Sequence, residues 1–307
     1  MVSRSAASRG IPRVVAILLV LALAIAVAAL TALALDRGRG ERTPGVAAPV
    51  PTFTGDALPS ADPEPTTTPT PAPTSTAPLS GAEITAPGAD ERFLAAGDGT
   101  MWRATAGSCG EVAPVVERSD DDGDTWSDVT PTYRDIAQVR DLLPFADTEA
   151  DLVADMGDDC ETQALRTFTQ GTFWSPYDDL LPQSTYLTSG AAVIDGDEVA
   201  APCETPWSLR TSSETAAAVC ADGAYARADG EWQQLASGVT ALDVQGDAVY
   251  ATMIAADCDG LQVARIDGDV EPLECLSVDD PASPAAVWVT ADAVQVWAGD
   301  ELFSASR

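Results

Sequence analysis

The 307-residue chain has no Lys and no His. Without His there is no imidazole base or ligand, which excludes His-dependent catalytic triads and His-built zinc sites. Positive charge is correspondingly thin. Sixteen Arg face 48 Asp plus Glu, a formal net charge of −32. Most of the imbalance sits in residues 91–307, which hold 41 acids against 10 Arg. Such a surface repels phosphate backbones and anionic lipid headgroups, which argues against nucleic acid as a partner. The charge otherwise reads as a solubilising bias in which Arg replaces Lys. Cysteine is absent up to residue 108, and six follow. No Gly-rich phosphate loop and no G-x-S-x-G elbow occurs.

The chain opens with a short basic stretch, residues 1–13, carrying Arg4, Arg9 and Arg13. Residues 14–35 follow, in which only Thr31 is polar. As a helix at about 1.5 Å per residue this run is long enough to cross a bilayer. It exceeds the usual signal-peptide core, which favours an uncleaved signal-anchor over cleavage near Ala34. Three Arg on each side leave orientation undecided by charge. The cysteines and the large acidic region place the N-terminus in the cytoplasm and the rest outside. Residues 36–90 form a linker rich in Pro, Thr, Ala and Ser, too polar to fold and held extended by its prolines. It reads as a tether through a cell envelope, with an O-glycosylated stalk as the alternative.

Residues 91–307 are long enough for one domain with a substantial core. Short strand-like runs recur at 93–96, 101–105, 191–194, 239–244, 248–254, 285–290 and 293–298, punctuated by turn dipeptides such as Asp195-Gly196, Asp229-Gly230 and Asp267-Gly268. The one exception is a predicted short helix at 133–143. The domain is therefore expected to be all-β.

Ser119, Asp121, Gly123, Thr125 and Trp126 spell S-x-D-x-G-x-T-W, which resembles the Asp-box of the bacterial neuraminidase repeat. The resemblance covers eight residues and implies a β-propeller, sialidase-like in fold only. An Asp can accept bonds from amides inside such a turn, Gly supplies a positive φ, and Trp can pack between sheets.

An internal repeat supports the same fold. Cys220, Arg227 and Gly230 match Cys258, Arg265 and Gly268 at a spacing of 38 residues. Cys109, Arg118, Gly123, Trp126 and then Cys160, Arg166, Gly171, Trp174 share the phase loosely. Each unit reads as Cys, a strand with Arg, a Gly turn, and a strand usually opened by Trp. Four such units plus the Cys-free end give about five blades, with six also open and a β-sandwich as the competing architecture. The stretch 294–304 is expected to pair with 92–104 and close the ring. Equal spacing of 17 residues pairs Cys203 with Cys220 and Cys258 with Cys275, leaving Cys109 with Cys160, one of 15 possible connectivities.

Function is less legible. Sialidases, as the resemblance implies, use an Arg cluster, a Tyr–Glu pair, an Asp and an Arg-Ile-Pro motif. The only Ile-Pro here, Ile11-Pro12, precedes the apolar run. Arg118, Arg166, Arg227 and Arg265 share one repeat phase and read as partners of turn acids. No catalytic, cofactor or metal residue is assigned; an EF-hand register on Gly123 fails at both ends, Arg118 and Val129. Trp207, Trp288 and Trp297 read as packing residues. The expectation is a membrane-anchored, extracellular binding or scaffolding propeller with a protein, glycan or peptide ligand; the alternative is a sialidase-type glycoside hydrolase with degenerate motifs.

Overall fold

A computed structural model describes residues 84–97, 99–213 and 215–307. They form a six-bladed β-propeller. Blade I comprises β1 (Arg92–Gly97), β2 (Thr100–Thr105), β3 (Val115–Ser119) and β4 (Ser127–Asp128). Blade II comprises β5 (Ile136–Ala146), β6 (Glu149–Met156), β7 (Glu161–Thr167) and β8 (Trp174–Pro176). Blade III has three short strands, β9 (Tyr186–Leu187), β10 (Ala191–Ile194) and β11 (Asp197–Ala200). Blade IV is β12 (Trp207–Thr211), β13 (Ala216–Cys220), β14 (Gly223–Ala228) and β15 (Glu231–Ala236). Blade V is β16 (Val239–Gln245), β17 (Ala248–Met253), β18 (Leu261–Asp267) and β19 (Asp269–Leu276). Blade VI is β20 (Ala285–Val289), β21 (Ala293–Ala298) and β22 (Glu301–Ser306).

The first strand of each blade touches the next, giving the closed ring β1, β5, β9, β12, β16, β20 and back to β1. β9 runs against the other five. Ser184 and Thr185 at its start share the axial cavity with the ends of β12 and β16, while Leu187 at its end lies with Phe93 and Gln138 near the starts of β1 and β5. Three strands entered backwards leave the chain where four entered forwards would, so β12 resumes the common direction.

Blade packing follows the repeat. Arg118, Arg166, Arg227 and Arg265 lie on the third strands of their blades. The Trp that opens or precedes the fourth strand packs on the preceding blade. Trp174 meets Trp102 edge-on, ring centroids 6.0 Å apart, and Trp232 donates to Ala200 O at 2.7 Å. Trp126 joins Met101, Trp297 and Leu302 between blades I and VI. Such aromatic pairs contribute about 0.5–1.5 kcal/mol beyond their buried area.

Two expectations need correction. Residues 133–143 contain only a 3-10 turn, Thr132–Arg134, and then β5. Its register shifts at three places, so Ile136, Val139 and Leu142 fall every third residue and mimic a helical stripe. The chain ends do not pair: β22 bonds only β21, and β1 lies in its own sheet. Side chains close the ring instead. Arg92 donates to Gly299 O at 2.7 Å, and Arg103 stacks between the Trp126 and Trp297 rings at 4.2 and 4.8 Å. The sixth blade that the repeat count left open is blade III, which lies within the 60-residue interval from Cys160 to Cys220.

The disulfides join Cys109 to Cys160, Cys203 to Cys220 and Cys258 to Cys275, the pairs inferred from the repeat. The first links blades I and II; the others each hold one edge of blades IV and V. Such bonds persist in an oxidising compartment. Among the described residues no helix is long and apolar enough to cross a membrane, and the run at residues 14–35 lies outside them.

Candidate functional site: the axial cavity

The Asp-box lies between β3 and β4 and forms a self-contained turn. Asp121 Oδ1 accepts the Thr125 amide at 2.8 Å and the Ser119 hydroxyl at 2.7 Å, while its Oδ2 accepts the Thr125 hydroxyl at 2.6 Å. The Gly123 amide donates to Ser119 Oγ at 2.9 Å. Gly123 has φ +91°, and a Cβ there would meet Leu302 Cδ2 at 2.5 Å, so both backbone and blade contact require glycine. These hydrogen bonds, led by those from Thr125, hold the Asp121 carboxyl below its ordinary value. None of the five Asp-box residues lines the axial cavity.

The four repeat-phase Arg are likewise engaged locally. Arg118 pairs with Asp120, Arg265 with Asp267, and Arg227 donates to Gly230 O. Two depart from the turn-acid expectation: Arg227 meets a carbonyl instead of an acid, and Arg166 clamps Asp151 across the sheet at 2.5 and 2.6 Å.

The ring encloses a cavity of about 550 Å3. That is the size of a small-molecule or peptide-segment pocket. Besides Asp151 and Asp195, its charged lining comes from strands that share a defect. β5, β12 and β16 each carry a register shift, and they present Asp141, Arg210 and Asp243 to the cavity; the regular β1 and β20 present Leu94, Trp288 and Val289. An extra residue in a strand re-aims the side chains around it, which is how a polar group comes to face an otherwise apolar axis.

Arg210 is prepared by Ser208, which takes φ +52° beside the β12 shift. Ser208 Oγ donates to Leu242 O at 3.3 Å and accepts from Leu242 N at 3.1 Å, pinning β12 to β16. The Arg210 guanidinium donates one Nη1–H to Leu209 O at 2.7 Å and lies 5.3 Å from the Phe93 ring centroid. It makes no ion pair within 4.0 Å among the described residues. Asp243 is 6% exposed, with Oδ1 accepting Val244 N at 2.8 Å and Oδ2 accepting Val289 N at 2.7 Å. Burial pushes its carboxyl up, against the pull of Arg210. Asp141 is pushed up to about 6, mainly by burial and further by Asp151, with Arg210 and the Leu142 amide opposing. Glu91 reaches in from the starting end of the inner strands, accepting Ser208 N at 2.8 Å, and burial raises it too.

The cavity thus contains one unpaired cation flanked by carboxylates held toward their neutral forms. Asp151, which also lines it, is already satisfied by Arg166. Residues 177–185 form one wall, contributing Leu180, Gln183, Ser184 and Thr185. Among the described residues no group of three or more acids or cysteines is placed to hold a metal ion. Sequence reading passed over Asp141, Arg210 and Asp243. The one available signal was Asp243, a lone acid inside the apolar run 239–244. Trp288, read as a packing residue, lines the cavity.

The six-bladed β-propeller is the class to which fold and cavity assign the protein. No protein-family model matches the chain, and no curated protein does. Solved structures resemble the chain at low identity. The structure of YCF48 bound to D1 peptide has 14% identity and TM-score 0.36, over 75% of this chain and 83% of that one. A native arabinanase from Bacillus subtilis has 8% identity and TM-score 0.36, over 67% and 87%. A Hadza microbial sialidase has 11% identity and TM-score 0.33, over 67% of this chain and 49% of its own.

Proposed function

We propose that the chain is a membrane-anchored, extracytoplasmic propeller that acts as a non-enzymatic binding module and takes its ligand in the axial cavity. One observation carries this reading: Arg210 lines the axial cavity without a carboxylate within 4.0 Å among the described residues, beside Asp141 and Asp243. A half-buried charge left without a counter-ion is a group that a ligand of opposite sign can complete. The apolar run at residues 14–35 supplies the anchor, the proline-rich linker supplies reach, and the disulfides fit the outer side of a membrane. The test is saturation binding of glycan and peptide panels to the full-length protein in detergent. Binding should be lost on filling the cavity with Val153→Trp. Catalytic turnover of a glycoside by the pure protein would overturn the non-enzymatic reading.

That second reading has its own support in two carboxylates on one cavity, the half-buried Asp141, held near 6, and the buried Asp243. A raised carboxyl beside a second carboxylate is the arrangement used for glycosidic bonds. It requires hydrolysis that disappears in both Asp141→Asn and Asp243→Asn.

A further inference from the structure

The charges in the cavity wall discriminate between ligand classes. The net charge of −32 turns anions away at long range and gathers cations. A simple cation entering the cavity, however, meets the fixed guanidinium of Arg210. A simple anion meets Asp141 and Asp243. A neutral polyol would displace water from all three and return no counter-charge, leaving Arg210 with donors unmatched. Only a ligand carrying both signs satisfies every group at no net charge.

The wall is built to divide such a ligand. Among the described residues Arg210 spends one N–H on Leu209 O, so Nε and Nη2 remain as a fork, the shape that binds a carboxylate through two parallel bonds. Asp243 is fixed by two amides, one on each oxygen, which leaves further lone pairs on both for an ammonium. Asp141 has its raised carboxyl on the same cavity, and an ammonium beside it favours the ionised form. Leu94, Leu142, Val153, Leu209 and Trp288 complete the wall with apolar surface suited to an aliphatic side chain. We propose that the cavity recognises a zwitterion of the amino-acid type, with Arg210 receiving a free carboxylate and Asp141 with Asp243 receiving a free ammonium. The ligand is a free amino acid or a short peptide with both ends open. This rests on the binding reading above and names the chemistry of its ligand.

Titration calorimetry on the full-length protein in detergent tests it with four probes: L-alanine, L-alanyl-L-alanine, the N-acetyl dipeptide and the dipeptide methyl ester. Alanine or the dipeptide should bind saturably, and whichever binds more tightly identifies the free amino acid or the peptide as the ligand. Each blocked form should bind at least about tenfold more weakly, the scale of one charge-assisted bond lost. Arg210→Gln should remove the preference for dipeptide over ester while keeping the preference over the N-acetyl form. Asp243→Asn should do the reverse. If either variant fails to fold, the four-probe comparison on the unaltered protein decides. Blocked forms that bind as well as the open dipeptide would overturn the assignment. So would a neutral oligosaccharide, maltotriose, binding where neither zwitterion does; if Val153→Trp abolishes that binding, the cavity remains the ligand site and only its chemistry is wrong. If none of these probes binds, the zwitterion assignment falls, whereas the binding-module reading falls only if the glycan and peptide panels also fail.

Discussion

Asp141→Asn is expected to stabilise the fold at neutral pH while weakening the site. Holding the carboxyl at about 6 instead of 3.8 makes the ionised form roughly 3 kcal/mol less stable in the folded cavity than in the unfolded chain, at about 1.4 kcal/mol per pH unit. The sign follows from proton binding. Between 3.8 and about 6 the folded chain holds a proton that the unfolded chain has released, so this group's contribution falls as pH rises through that window and stays constant above it. Asn keeps an acceptor for the Leu142 amide and has no charge to desolvate. Its gain should approach about 3 kcal/mol at pH 7.5 and shrink to about 1 kcal/mol at pH 4.5. Glu91, Asp151, Asp195, Arg210 and Asp243 surround the same region and are present in both proteins, so the difference between variant and parent reports on Asp141. Urea unfolding followed by tryptophan fluorescence, disulfides intact, measures it at the two pH values. A gain equal at both, or a loss at pH 7.5, would refute the assignment of burial as the cause.

Three further outcomes are expected. Replacing Cys109 and Cys160 together by Ala frees a 51-residue loop and should cost about 4 kcal/mol, against about 3 kcal/mol for either 17-residue loop, read from urea midpoints. Gly196→Ala would place a Cβ 1.9 Å from Pro182 O at φ +82°, so it should destabilise by at least about 1–3 kcal/mol and displace the cavity wall at residues 181–185, seen as weakened ligand binding beyond the loss of stability. Asp121→Ala removes the acceptor of the Thr125 amide and should speed hydrogen exchange at Thr125. In the parent, that protection should be lost as pH drops below 3.8 and through the lowered value of the Asp121 carboxyl, because a depressed acid stabilises only while ionised.

Local grammar was written in the chain. Strand-length apolar runs, Asp-Gly turns, the Asp-box and the shared phase of Cys, Arg and Trp are short-range patterns, because hairpins and turn bonds form between residues close in sequence. They gave the β-propeller class, and the equal spacing gave the cysteine pairs. Blade III escaped because it lacks the Cys, Arg and Trp that mark the repeat, and its strands are only two to four residues long. The helix expected at 133–143 failed because register shifts in β5 stretch the alternation of a strand into the period of a helix. Closure through Arg92, Arg103 and Trp297, rather than by a shared sheet, was equally hidden, since it joins side chains from opposite ends of the domain. The cavity lay furthest from sequence: Asp141, Arg210 and Asp243 stand on three different blades, and nothing in their neighbours specifies that shifted inner strands turn all three toward one axis. Periodicity records which face of a strand is buried; only the closed ring determines what that face meets.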